Sequence, residues 1–140
     1  MNHAEKATQV FNEKFNCSQA VLASFAEEYN LSEKDAQRVA LCLSGGMRKG
    51  EVCGAASGAL LVLGLKYGES DEGRAIGYDK AAQFMERFKQ VNSSYMCRDI
   101  LGCDISTPEG MDMASKANKF KTVCPKMVES AVKILEEILD

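Results

Sequence analysis

The sequence predicts an all-α fold, a compact single-domain bundle of about seven helices spanning residues 1–140. Three observations predict it. Apolar residues recur at helical spacing nearly everywhere, no segment shows the alternation of a half-buried strand, and helix-start signals recur between the apolar stripes. The composition agrees: with 26% charged and 46% hydrophobic residues, the chain is that of a globular protein rather than a disordered one. At this length a folded domain hides roughly two thirds of its unfolded surface, so disulfides are not needed to hold it.

Ala4, Ala7, Val10, Phe11 and Phe15 make the first stripe and predict an amphipathic helix near 3–15. Asn16, followed three residues later by Gln19, caps a second near 17–30, striped by Ala20, Val21, Phe25, Ala26 and Tyr29. Ser32 before Asp35 opens a third near 32–43. A glycine-rich stretch, Gly45 to Gly50, precedes a fourth near 52–67, and Gly68, Glu69 and Ser70 break the chain before a long helix near 72–91 carrying Ala81, Ala82, Met85 and Phe88. A short helix near 95–101 follows. Thr107 before Pro108 starts a softer one near 108–120. The last, near 125–139, has the clearest pattern: Val128, Ala131, Val132, Leu135, Ile138 and Leu139.

Charge and patterning exclude several function classes. Seventeen basic against twenty acidic residues give a net charge of −3 without a long basic run, which argues against a nucleic-acid partner. The longest nearly apolar run, Gly54 to Leu65, is too short for membrane insertion, and the polar N-terminus lacks a signal-peptide layout, so a cytoplasmic location is expected. His3 is the single histidine, at a terminus expected to fray, so hydrolytic triads and di-iron sites cannot be built. There is no CxxC, hence no thioredoxin-type dithiol or zinc-ribbon pair, and no CxxCH for haem. The stretch Ser44 to Val52 lacks the order of a phosphate loop.

Six cysteines remain as the anomaly, and in a reducing compartment that many thiols point to metal, cluster or redox chemistry. Four share one local position. Cys17 follows the cap Asn16, Cys53 begins the fourth helix, Cys97 lies three residues after Ser94, and Cys124 precedes Pro125 and so falls at the cap itself. A helix start carries partial positive charge and free N–H donors, which favour a thiolate. Four such ends converging suit a four-thiolate metal or iron–sulfur site, or a reactive dithiol in which Cys53, Cys17, Cys97 and Cys124 supply nucleophile and resolving thiol. Arg48 and Lys49 read as a solvated basic turn, the alternative being that they add positive charge near Cys53. Gly54 and Gly58 lie four apart on one helical face, where another backbone or a cofactor can approach closely. Cys42 reads as a core residue, and Cys103 as a packed thiol in a turn.

On these residues the chain resembles the redox-active family named for its C_GCAxxG_C_C pattern. The carrying stretches are NCSQAVL at 16–22, GGMRKGEVCGAASGALLVLGLKYG at 45–68, CRDILGCD at 97–104 and CPKMVESAVKILEEIL at 124–139. Here the glycine follows the cysteine, giving CGAxxG. The resemblance implies a redox-active protein of anaerobes, with the four cysteines carried over to Cys17, Cys53, Cys97 and Cys124. A similar domain occurs in split-Soret cytochromes beside haem-binding segments absent from this chain, which implies an electron-carrying iron–sulfur cluster, most simply [2Fe–2S], on these four thiols. The alternatives are a thiol–disulfide oxidoreductase without a cofactor and a structural Cys₄ zinc site in an interaction module. Expected partners are a redox protein and, for assembly, further copies of the chain.

Overall fold

Five of the helices begin where a polar side chain takes one of the first free backbone N–H groups. In the computed structural model, which describes residues 1–139, Asn2 and Asn16 form reciprocal capping boxes with Glu5 and Gln19, opening α1 (His3–Asn12) and α2 (Cys17–Ala26). Ser32 caps α3 (Glu33–Ala40), Ser70 caps α5 (Asp71–Asn92) and Thr107 caps α7 (Pro108–Lys116). Between them lie α4 (Gly54–Tyr67) and α6 (Cys97–Leu101), and the chain closes with α8 (Lys119–Thr122) and α9 (Cys124–Ile138). The fold is all-α; among the described residues the extended pairing is a single antiparallel bridge between Val52 and Met96.

Several helices end sooner than the apolar spacing predicts. The stripe near 17–30 changes to a tighter turn at Glu27–Tyr29 and stops at Asn30, which is left-handed. The stripe near 32–43 likewise leaves the α-helix at Ala40 and tightens over Leu41–Leu43. That change of pitch swings Cys42 outward. It is exposed rather than in the core, with its neighbours Val39 and Leu41 at 63% and 54% exposure.

Helix α2 is the axis of the molecule. It is buried on every side, not amphipathic, and packs against α1, α3, α4 and α9. Its polar first turn survives burial because it satisfies the unpaired carbonyls at the end of α3. Ser18 donates to Ala40 O, Asn16 to Leu41 O and Gln19 to Gln37 O, at 2.8, 3.0 and 2.7 Å. Phe25, Leu22, Leu63, Phe84, Phe88 and Leu135 fill the main core. A second, smaller cluster around Cys97, Leu101, Ile105 and Ala114 holds α6 and α7.

The N-terminus is not frayed. The His3 ring stacks on Phe25 at 3.9 Å between centroids, its Nδ1 meets Glu136 at 3.0 Å and its Nε2 meets Glu28, so it ties α1 to α2 and α9. Among the described residues no helix is long and apolar enough to cross a membrane.

Candidate functional site

The seam between the two apolar clusters holds a chamber of about 370 Å³, and Cys17, Cys53, Cys97 and Cys124 all line it. Cys17 and Cys53 come from the main core and Cys97 from the smaller cluster, against which Cys124 packs. Each stands at a helix start. Cys17, Cys97 and Cys124 are the first residues of α2, α6 and α9, and Cys53 is the cap of α4. Cys124 therefore sits one residue inside the cap position expected from Pro125, because Val123 already has helical dihedrals and takes the cap.

Two backbone devices bring the helix starts that carry these thiols together. At the Val52–Met96 bridge the Cys53 N–H donates to Tyr95 O at 2.7 Å and the Cys97 N–H donates to Glu51 O, so the starts of α4 and α6 are stitched together. The α2–α4 approach is set by glycine. A Cβ on Gly54 would lie 2.6 Å from the Cys17 sulfur and 3.0 Å from Ser44 Cα, and one on Gly58 would lie 2.8 Å from Ser18 O. Gly54 thus gives room to the Cys17 sulfur and lines the chamber, whereas Gly58 is taken up by the backbone of α2.

The chamber roof is unusual backbone. Gly45, Gly46, Met47 and Arg48 are four consecutive left-handed residues, with φ of 67, 63, 60 and 64°. Two of them carry side chains that disfavour this region by about 1–2 kcal/mol each. The turn folds Arg48 back over Gly45, and its Nη1 donates to Ser44 O and Oγ at 3.4 and 3.3 Å.

The four sulfurs are electrostatically unequal. Cys17 donates its S–H to Cys53, and this hydrogen bond is the main reason the Cys53 thiol is held below its ordinary value; burial opposes it and the N–H groups of Ala55 and Ala56 reinforce it. The same bond, with burial, pushes Cys17 well up. Burial and the neighbouring Cys53 push Cys97 up to about 12 and Cys124 to about 11. The charge of Arg48 bears on Cys97, lowering it slightly against those effects, while Lys49 is not among the chamber-lining residues. Cys103 is half-buried against the smaller cluster and, like Cys42, does not line the chamber.

A single zinc ion with bonds of about 2.3 Å needs sulfurs roughly 4 Å apart. Among the described residues no three His, Cys, Asp or Glu side chains are grouped to hold one ion. A polynuclear iron–sulfur core takes four thiolate ligands, and four thiols line the chamber. Burial and a neighbouring thiolate push the other thiols up, and a bound cationic core would reverse that sign by deprotonating its ligands.

A family model described as "Putative redox-active protein (C_GCAxxG_C_C)" matches residues 15–138. The chain belongs to this family. The matched span begins just before Cys17 and ends in α9, so it takes in all four chamber thiols. No curated protein and no solved structure matches the chain.

Proposed function

We propose that the chamber is an electron-transfer centre in which Cys17, Cys53, Cys97 and Cys124 hold an iron–sulfur cluster. The observation that carries this reading is that four thiols from four separate helix starts line one cavity, in a chain of a redox-active family. When bound, the cluster would accept and release single electrons at a potential set by its surroundings. The residues present have definite parts in that. The four thiols supply the anionic ligands, and the first turn of α4 offers N–H groups to the Cys53 sulfur. The wall with Phe15, Ile105 and Phe120 gives the centre an apolar surround, and Arg48 offsets negative charge at Cys97.

Anaerobic reconstitution with ferrous iron and sulfide tests it. A coloured protein bleached by dithionite, with iron uptake reduced to a tenth or less in Cys17→Ser, Cys53→Ser, Cys97→Ser and Cys124→Ser but not in Cys42→Ser, is the expected result. A colourless, iron-free product sinks the reading.

One observation favours a second reading, thiol–disulfide exchange: the Cys17–Cys53 hydrogen bond pairs a sulfur disposed to ionise with one that keeps its proton. In that chemistry Cys53 attacks a disulfide, forming a mixed disulfide and releasing one thiolate. Cys17 then loses its proton and attacks the Cys53 sulfur, so the disulfide partner leaves as two thiols and the protein keeps a Cys17–Cys53 bridge. Mass spectrometry after mild oxidation decides it: a bridged tryptic pair supports exchange, and four free thiols exclude it.

A further inference from the structure

The chamber mouth has a charge opposite to that of the molecule. Two cations line it, Lys14 and Arg48, and none of its lining residues is Asp or Glu, although the whole chain carries a net charge of −3. Neither cation is ion-paired to an acidic side chain among the described residues. Both stand on left-handed backbone, Lys14 with φ 73° just beyond the end of α1 and Arg48 with φ 64° in the glycine-led turn. Asparagine or glycine fits such positions better. The two elements that carry them are separate in sequence, yet both strained sites deliver a long cationic side chain to the same opening. Arg48 spends only Nη1 on Ser44, and its other donors bond no group among the described residues. Beneath the cations the wall is apolar, with Phe15, Ile105 and Phe120, and the cysteines line the same space.

We propose that this mouth is a binding site for a small organic anion, a carboxylate with an apolar body, seated within reach of the chamber thiols. The carboxylate lies against Lys14 and the free donors of Arg48, since a guanidinium fork suits a two-oxygen anion. The apolar body lies along the wall. A neutral molecule of the same shape gains only the wall, and a cation is repelled at the opening. The inference builds on the chamber as the redox centre and assigns the class of small molecule that meets it.

Matched reagents test it on the reduced, metal-free full chain. Iodoacetate and iodoacetamide differ in little but charge, and peptide mass spectrometry reads each cysteine separately, with exposed Cys42 as internal reference. The rate ratio of iodoacetate to iodoacetamide at Cys53 should exceed that at Cys42 by about tenfold, at the low end of electrostatic focusing in a cleft. It should fall to the Cys42 ratio in Lys14→Asn/Arg48→Asn, substitutions that the left-handed backbone accepts, and also in wild-type protein at about 1 M salt. Benzoate should slow iodoacetamide labelling of Cys53, and benzamide should not. Equal ratios at Cys53 and Cys42, or an excess that survives salt, overturns the proposal. So does protection by benzamide equal to that by benzoate. Iron reconstitution fails or succeeds apart from these rates, so iron uptake without charge selectivity removes the anion site and leaves the centre, and selectivity without iron does the reverse.

Discussion

Cys53 and Cys17 share a hydrogen bond that drives them in opposite directions. Cys53 receives the Cys17 S–H and the N–H groups of α4, and Cys17 has burial and a negatively disposed neighbour. Reactivity follows the thiolate, so the chamber has a definite order of labelling. In iodoacetamide titrations between about pH 6 and 9, Cys53 should react at the lowest pH, while Cys97 and Cys124, pushed up to about 12 and 11, lag behind it. Cys17→Ala removes the S–H donor and should move the Cys53 profile to higher pH. Labelling of Cys97 before Cys53 would falsify this ordering. The starts at Cys53 and Cys97 carry no side-chain cap, but that sulfurs stand at helix starts is readable at Cys17 and Cys124, in Asn16, Gln19 and Pro125, because these signals are local. Their inequality is not, since it depends on which thiol faces which across the chamber.

At the scale of the helices, α4 carries the same residue in two opposite settings. Gly58 lies against α2, where a Cβ would meet Ser18 O at 2.8 Å and Ser18 Cα at 3.1 Å, whereas a Cβ on Gly64 meets nothing within 4 Å. Gly58→Ala should therefore cost about 1–3 kcal/mol by overpacking the α2–α4 contact. Gly64→Ala should stabilise by about 0.5–1 kcal/mol, because alanine loses less backbone freedom in a helix. Urea midpoints of the two variants check both signs, and a Gly58→Ala midpoint no lower than that of the wild type would show that the close approach is not rigid. The close face was legible from the four-residue glycine spacing, but the partner, Ser18 in α2, was not. The same limit applies elsewhere. Apolar spacing found the helices, since burial of a stripe needs only local sequence. It overran the ends at Ala26 and Ala40, where a tighter turn keeps the three-residue rhythm after the α-helix has stopped. The left-handed run through Met47 and Arg48 lies beyond local rules altogether, because only the glycines of that stretch announce such backbone.

At the scale of the whole chain, one titratable contact joins three helices that are far apart in sequence. His3, from the first turn of α1, stacks on Phe25 of α2 and meets Glu28 beyond the end of α2 and Glu136 of α9. Nearby, Lys6 pairs with Glu27 and Glu33 at 2.9 and 3.1 Å, and those hydrogen bonds raise it from a value already far above the neutral range. The histidine is therefore the group on this face that changes charge near neutrality. Partial burial of the ring lowers its pKa, but the bonds to Glu136 and Glu28 and their charges outweigh that, so the net displacement is upward from 6.5. A group whose folded pKa is raised contributes stability that is fully present below the unfolded value and is lost as pH rises through the folded one. The expected outcome is that His3→Gln destabilises the protein more at about pH 5.5 than at about pH 8.5, with the difference between wild type and variant narrowing across the interval from 6.5 upward. Urea denaturation of both proteins at the two pH values measures it. A difference that stays constant with pH would mean that stacking on Phe25, not the imidazolium between two carboxylates, holds the N-terminus in place.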